Sequence, residues 1–231
     1  MILALLLAAQ PAPSVTQPAQ WSDLGILVGT AAAYFTIHAQ PEPWSSLNWD
    51  DTPTDQAYNE DTVPTEAFYA WAGALSLGAG YEGGSREAVA ALHTLGLTGL
   101  STEVLKYSFG RPRPDFDNRM AIAPGHEDEE KLRRDARLSM PSGHSSSAFA
   151  LALHTGLWLH RAGCRRGWGD AAIIGGYAAP LLGAAAIGVS RVTDNRHNPS
   201  DVLAGALLGS AVAWGVNRWQ FGPHRGCDRA Q

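Results

Sequence analysis

Residues 171–189 read AAIIGGYAAPLLGAAAIGV, a run without a single charged side chain. Ala, Leu and Gly dominate it and no strict alternation of apolar and polar residues is sustained, so the run predicts a helix and not a strand. Its length matches the roughly 20 mostly apolar residues that a bilayer-spanning helix needs. Working outward, segments of similar make-up cover residues 22 to 38, 64 to 80, 86 to 107, 143 to 160 and 199 to 218, and the quoted run completes a segment from 170 to 189. The expected fold class is all-α, a six-helix bundle. Only the quoted run is a clean span. The third segment carries His93 and Glu103, the fourth His154 and His160, and the sixth ends in Asn217 and Arg218. The mean hydropathy of −0.13 is low for six spans.

The 231 residues, 45% of them apolar, supply one sizeable core and exclude a disordered or collagen-like chain. A formal charge of −5 gives no general attraction for nucleic acid, which is not an expected partner. The two cysteines, Cys164 and Cys227, rule out a disulfide scaffold and a C-x-x-C metal or redox pattern. Residues 1–9 (MILALLLAA), followed by a Pro-rich stretch, resemble the core of an export signal that lacks a preceding cation. The expected organisation is a leader over 1–20, a helical domain over 21–220 and a tail over 221–231. Acidic residues collect between the first two segments, whereas Arg161, Arg165 and Arg166 lie between the fourth and fifth. That asymmetry suits six spans with the basic links in the cytoplasm, a topology that excludes a cleaved leader. We favour an exported bundle, periplasmic or in the cell envelope, soluble or resting on a membrane surface, over an integral one. The loops 39–63 and 114–140 are long and polar. The first holds Trp44, Trp49 and Tyr58, which suit either an interfacial rim or a loop packed over the bundle. The second holds a run (EDEEKLRRDAR) that reads as a short exposed helix with pairs such as Glu129 with Arg133 and Glu130 with Arg134.

Three clusters carry chemistry. Lys106 closes the third segment and is followed by two Arg-Pro pairs, in which Pro112 and Pro114 hold Arg111 and Arg113 in extended geometry. Ser142 is a fitting N-cap for the fourth segment, and the amides of Gly143, His144 and Ser145 then fall in its first turn, where helix ends bind phosphate. Asn198 and Pro199 suit the N-cap and first position of the sixth segment, with His197 just outside and Asp201 in the first turn. Asp201 can accept a proton from one ring nitrogen of His197 and leave the other as a nucleophile, or it can serve as a capping-box partner for Asn198. In an up-and-down bundle all three clusters share one end, with Lys106, Arg111, Arg113 and Arg191 around two histidines. Such a concentration of cations suits a transferring phosphoryl group. Cys164 and Cys227 fall at the opposite end, where an exported protein would bond them. The other histidines, His38, His93, His126, His154, His160 and His224, share no ligand spacing and read as structural.

These residues resemble the three-part motif of the type 2 phosphatidic acid phosphatase and vanadium haloperoxidase superfamily, K-x6-R-P, P-S-G-H and S-R-x5-H-x3-D. Every fixed position is matched, from Lys106 and Arg113-Pro114, through Pro141-Ser142-Gly143-His144, to Ser190-Arg191, His197 and Asp201. The resemblance implies that His197 attacks phosphorus to form a phosphohistidine, oriented by Asp201, while His144 protonates the leaving oxygen. It implies phosphate binding by Lys106, Arg113, Arg191, Ser142 and Gly143. Arg111 becomes a second anion contact or a surface cation. The function implied is metal-independent hydrolysis of a phosphate monoester or diphosphate, carried by a small molecule or a lipid, with no cofactor. Vanadate would mimic phosphate in such a pocket. A vanadate-dependent haloperoxidase and a non-catalytic anion-binding bundle are the alternatives.

Overall fold

The computed structural model describes residues 18–46, 53–57, 64, 66–223 and Cys227. The apolar run 1–9, Trp49, Tyr58, Arg225 and Arg229 lie outside these. The described residues form eight helices and no strand: α1 (Trp21–His38), α2 (Glu66–Gly83), α3 (Ser85–Phe109), α4 (Phe116–Ile122), α5 (Glu129–Ala136), α6 (Gly143–Arg166), α7 (Asp170–Thr193) and α8 (Pro199–Phe221). The six long helices coincide with the six expected segments. The short α4 and α5 fall within the loop 114–140, which is therefore not a plain loop. In α5 the Glu129–Arg133 pair forms at 2.8 Å, whereas Arg134 turns away from its expected partner Glu130 and donates to the carbonyl of His38.

Helix ends follow local chemistry. Gly110 at φ 56° stops α3, with its N–H on the Lys106 carbonyl, and a Cβ there would collide with the backbone of Ser45. Residues 43–45 pass over this end, and Trp44 packs on Tyr107 with ring centroids 5.8 Å apart. Ser142 caps α6 by accepting the Ser145 amide, and Gly167 in the left-handed region ends it. α6 is the central helix, packed against α7, α8, α3 and α2. The core beside it contains Phe68, Leu75, Ala91, Ala148, Leu151 and Ala184. α8 approaches α6 backbone to backbone at two glycines: a Cβ on Gly205 would stand 2.6 Å from the Ser142 carbonyl oxygen, and one on Gly209 would collide with that of Ser146. Small residues four apart permit such close crossings in lipid-embedded bundles.

Large apolar side chains lie on the outside of the bundle as well as in its core. Leu77, Leu182, Val189 and Leu207 point outward, each more than 60% exposed. Inside, Arg161 grips Glu87 through two nitrogens and donates to Asn217, which with Thr94 meets His154. Such pairing is what lets polar groups sit within a membrane bundle. Three helices, α3, α7 and α8, are long and apolar enough to cross a membrane. One clean span was expected, and among the described helices three meet that length and composition. His93 and Glu103 do not disqualify α3, because both are buried against partners, His93 against the Asp23 carbonyl and Glu103 against His38. At the far end of α6 a disulfide joins Cys164 to Cys227, as expected from their shared end.

Candidate active site

The site forms where the end of α3 and the starts of α6 and α8 meet. Residues 111–113 run extended beside residues 136–139, tied by the Arg113 amide to the Ala136 carbonyl and the Ser139 amide to the Arg111 carbonyl. The intervening prolines prevent these arginines from continuing the helix. Two residues apart on an extended segment, both arginines point to the same side, toward the start of α8. The Ser142 amide donates to the Asp201 carbonyl at 3.0 Å, which joins the starts of α6 and α8 directly.

One cavity of about 780 Å³ collects Lys106, Arg113, Gly143, His144, Arg191 and His197 on its wall. Six of the eight residues singled out from the motif therefore converge. Ser142 and Asp201 are fully buried behind that wall. The Ser142 hydroxyl oxygen accepts the Ser145 amide and hydroxyl as the α6 cap, which leaves its own proton to donate. Gly143 lies against Lys106, whose Nζ would be 3.5 Å from a Cβ at that position. The absence of a side chain there leaves the cation room beside the first turn of α6. The His144 ring stands edge-on to Phe68, 5.4 Å between centroids.

The surroundings of His197 define its protonation. Arg113 Nη1 lies 3.3 Å from Nε2, and a guanidinium can only donate, so Nε2 carries a lone pair and the proton sits on Nδ1. Nδ1 faces the Ser139 hydroxyl at 3.4 Å, and that hydroxyl donates to Asp201 Oδ2 at 2.7 Å. The direct separation from Nδ1 to Oδ2 is 3.8 Å, beyond hydrogen-bond reach. Asp201 therefore acts on the ring through Ser139. The same Oδ2 accepts the Asn198 amide at 2.9 Å, so capping and orientation are both served by one carboxylate. Burial, then the adjacent Arg113 charge, push the His197 imidazole down to about 3. Burial and the neighbouring Arg119 likewise lower the Arg113 guanidinium to about 10.

Arg111 is not a surface cation: it is buried, and Nη1 bonds Asp201 Oδ1 and the Ser200 hydroxyl. Arg191 is fully buried and holds Asp194 at 2.8 Å. Sequence reasoning missed Ser139 and Glu103. Glu103 lies 3.8 Å from Lys106 and 3.2 Å from His38, and both Glu103 and His38 line the cavity. The one available signal was helical spacing, since Glu103 precedes Lys106 by three residues on the same face.

Fold and site together define a helical membrane protein with a cationic cavity whose wall carries His38, His144 and His197. The chain belongs to the PAP2 superfamily, whose family model matches residues 87–225, more than half of its length. It is 35% identical over 129 residues to lipid phosphate phosphatase 1 of Arabidopsis thaliana, covering 51% of this chain and 39% of that one. It is 32% identical to the probable diacylglycerol pyrophosphate phosphatase 1 of Schizosaccharomyces pombe, with coverage of 57% and 52%. It is 35% identical to the lipid A 1-phosphatase of Porphyromonas gingivalis, with coverage of 58% and 25%. The chain thus spans about half or less of the length of these relatives. No solved structure matches it.

Proposed function

We propose that the protein is a membrane-bound lipid phosphate phosphatase that works through a phosphohistidine. The observation that carries this reading is the convergence of Lys106, Arg113, Arg191, His144 and His197 on one cavity whose remaining walls are largely apolar. The names of the relatives, with lipid phosphates and a lipid diphosphate among their substrates, support the same class.

Lys106, Arg113, Arg191 and the Gly143 amide bind the phosphoryl oxygens, and charge that spreads over those oxygens in the transition state is held by groups already in place. As oxygens take over the N–H groups of Arg113, the Nε2 lone pair of His197 is released and attacks phosphorus. The P–N bond forms, the ester P–O bond breaks, and His144 gives its proton to the departing alkoxide. Water then attacks the phosphohistidine, loses a proton to His144 and displaces the imidazole as inorganic phosphate leaves. Ser139 and Asp201 hold the Nδ1–H tautomer throughout. The scheme draws its positive charge from side chains and uses no metal or cofactor.

Phosphate release from a phosphatidate presented in detergent micelles should fall at least a thousandfold in His197→Ala. The wild-type protein should yield an acid-labile phosphoryl adduct that is missing from that variant. An active His197→Ala protein removes the nucleophile assignment, and a wild-type protein inert toward every lipid phosphate removes the function.

A further inference from the structure

The cavity is much longer than a phosphate group requires. From Lys106 it runs back along α3 past Gly99 and Gly96 to Leu92, with Ala31 of α1 on the facing wall. α1 and α3 climb together: His38 meets Glu103, Tyr34 lies 3.5 Å from the Cβ position of Gly99, and Thr30 lies 3.5 Å from that of Gly96. Thr30 and Tyr34 thus pack on α3 at van der Waals distance, and the cavity runs alongside this seam. Phe68 and Tyr69 of α2 also border the cavity. The wall beyond Tyr34 includes Leu27, Ala31, Leu92 and Leu95, whose side chains offer no hydrogen bond.

We propose that this apolar arm, bordered by α1 and α3 beside their contact, binds one extended alkyl chain of the phosphorylated substrate, and that Gly96 and Ala31 set how far the chain can enter. The proposal rests on the phosphatase reading for the identity of the head group and takes its occupant from continuity: the arm opens into the same cavity as His197. With a helical rise of 1.5 Å per residue, Gly99, Gly96 and Leu92 stand about 10, 15 and 21 Å from the level of Lys106. An extended chain advances about 1.25 Å per carbon, from ordinary C–C lengths and angles. Eight carbons therefore end near Gly99, and about 16 reach Leu92. A Leu side chain at position 96, or a Phe at position 31, blocks the arm between these limits.

The test compares octyl phosphate with hexadecyl phosphate at one fixed mole fraction in mixed micelles. Wild-type protein is expected to hydrolyse both with kcat/KM within a few-fold. Gly96→Leu, and independently Ala31→Phe at an exposed position, should keep the octyl value within about twofold and lose at least tenfold on the hexadecyl substrate. Variants that treat the two chains as wild type does, or that lose both equally, overturn the arm as the chain site. Binding of octylphosphonate and hexadecylphosphonate, read as a thermal shift, decides the matter without turnover. Selective loss of the long phosphonate in both variants supports the arm even if the hydrolytic reading fails, and an unchanged preference sinks it.

Discussion

Ser139 stands between the carboxylate of Asp201 and the ring of His197, close to both. Ser139→Ala should leave Asp201 capped and paired with Arg111 but uncouple it from the ring. We expect kcat to fall about tenfold or more, as suits one hydrogen bond to a charged group, with KM nearly constant and recovery in Ser139→Thr. A rise in KM at constant kcat would instead make Ser139 a binding residue. Titration offers a second check on the nucleophile. Its folded value, about 3, lies below the ordinary 6.5. Below pH 6.5 the unfolded chain therefore takes up a proton that the folded one refuses. The stability due to this group is whole above 6.5 and is lost as the pH falls toward 3. Melting temperature should thus decline less steeply between pH 6.5 and 4 in His197→Asn than in wild type, and equal slopes would mean an imidazole already charged in the fold. His197 and His144 were legible because their motif spacing is local to the starts of α8 and α6. Ser139 and the true partner of Arg111 were not, because their roles come from contacts 62 and 90 residues away in sequence.

At the level of elements, the contact of α6 with α8 governs whether the site assembles, since Ser142 and Asp201 belong to their facing starts. The Cβ that Gly209→Ala adds would press on the Ser146 carbonyl, where backbone meets backbone and neither side can rotate away. We expect a loss of at least about 2 kcal/mol of stability, together with activity, from this overpacking. Gly215→Ala on the same helix has nothing within 4 Å and should be neutral or slightly stabilising. Thermal melts of the two variants side by side check the crossing. If both behave alike, α6 and α8 do not cross as closely as described. The six long helices were readable because Ala, Leu and Gly accumulate in them, and caps such as Asn198-Pro199 mark their beginnings. The helix α4 escaped notice: its seven residues depend on Asp115 holding Arg119 at 2.8 Å and Arg196 at 3.6 Å, and the second of these pairings bridges distant chain. The cost charged to the polar residues of α3 and α8 was misjudged for a related reason. Hydropathy alone does not reveal that His93, Glu103 and Asn217 face inward and find partners there.

For the molecule as a whole, the Cys164–Cys227 bond and the cationic end of the cavity occupy opposite ends of one 24-residue helix, about 36 Å long. The bond closes a stretch of chain with a sequence separation of 63, a constraint worth about 4 kcal/mol when it restricts an unfolded state. Reductant, or the Cys164→Ala, Cys227→Ala double variant, should lower the melting temperature while kcat stays within about twofold. A parallel fall in kcat below the melting range would show that the two ends communicate. Durability and chemistry are thus housed apart: a reducing bath shortens the protein's survival on heating and leaves each turnover as fast as before.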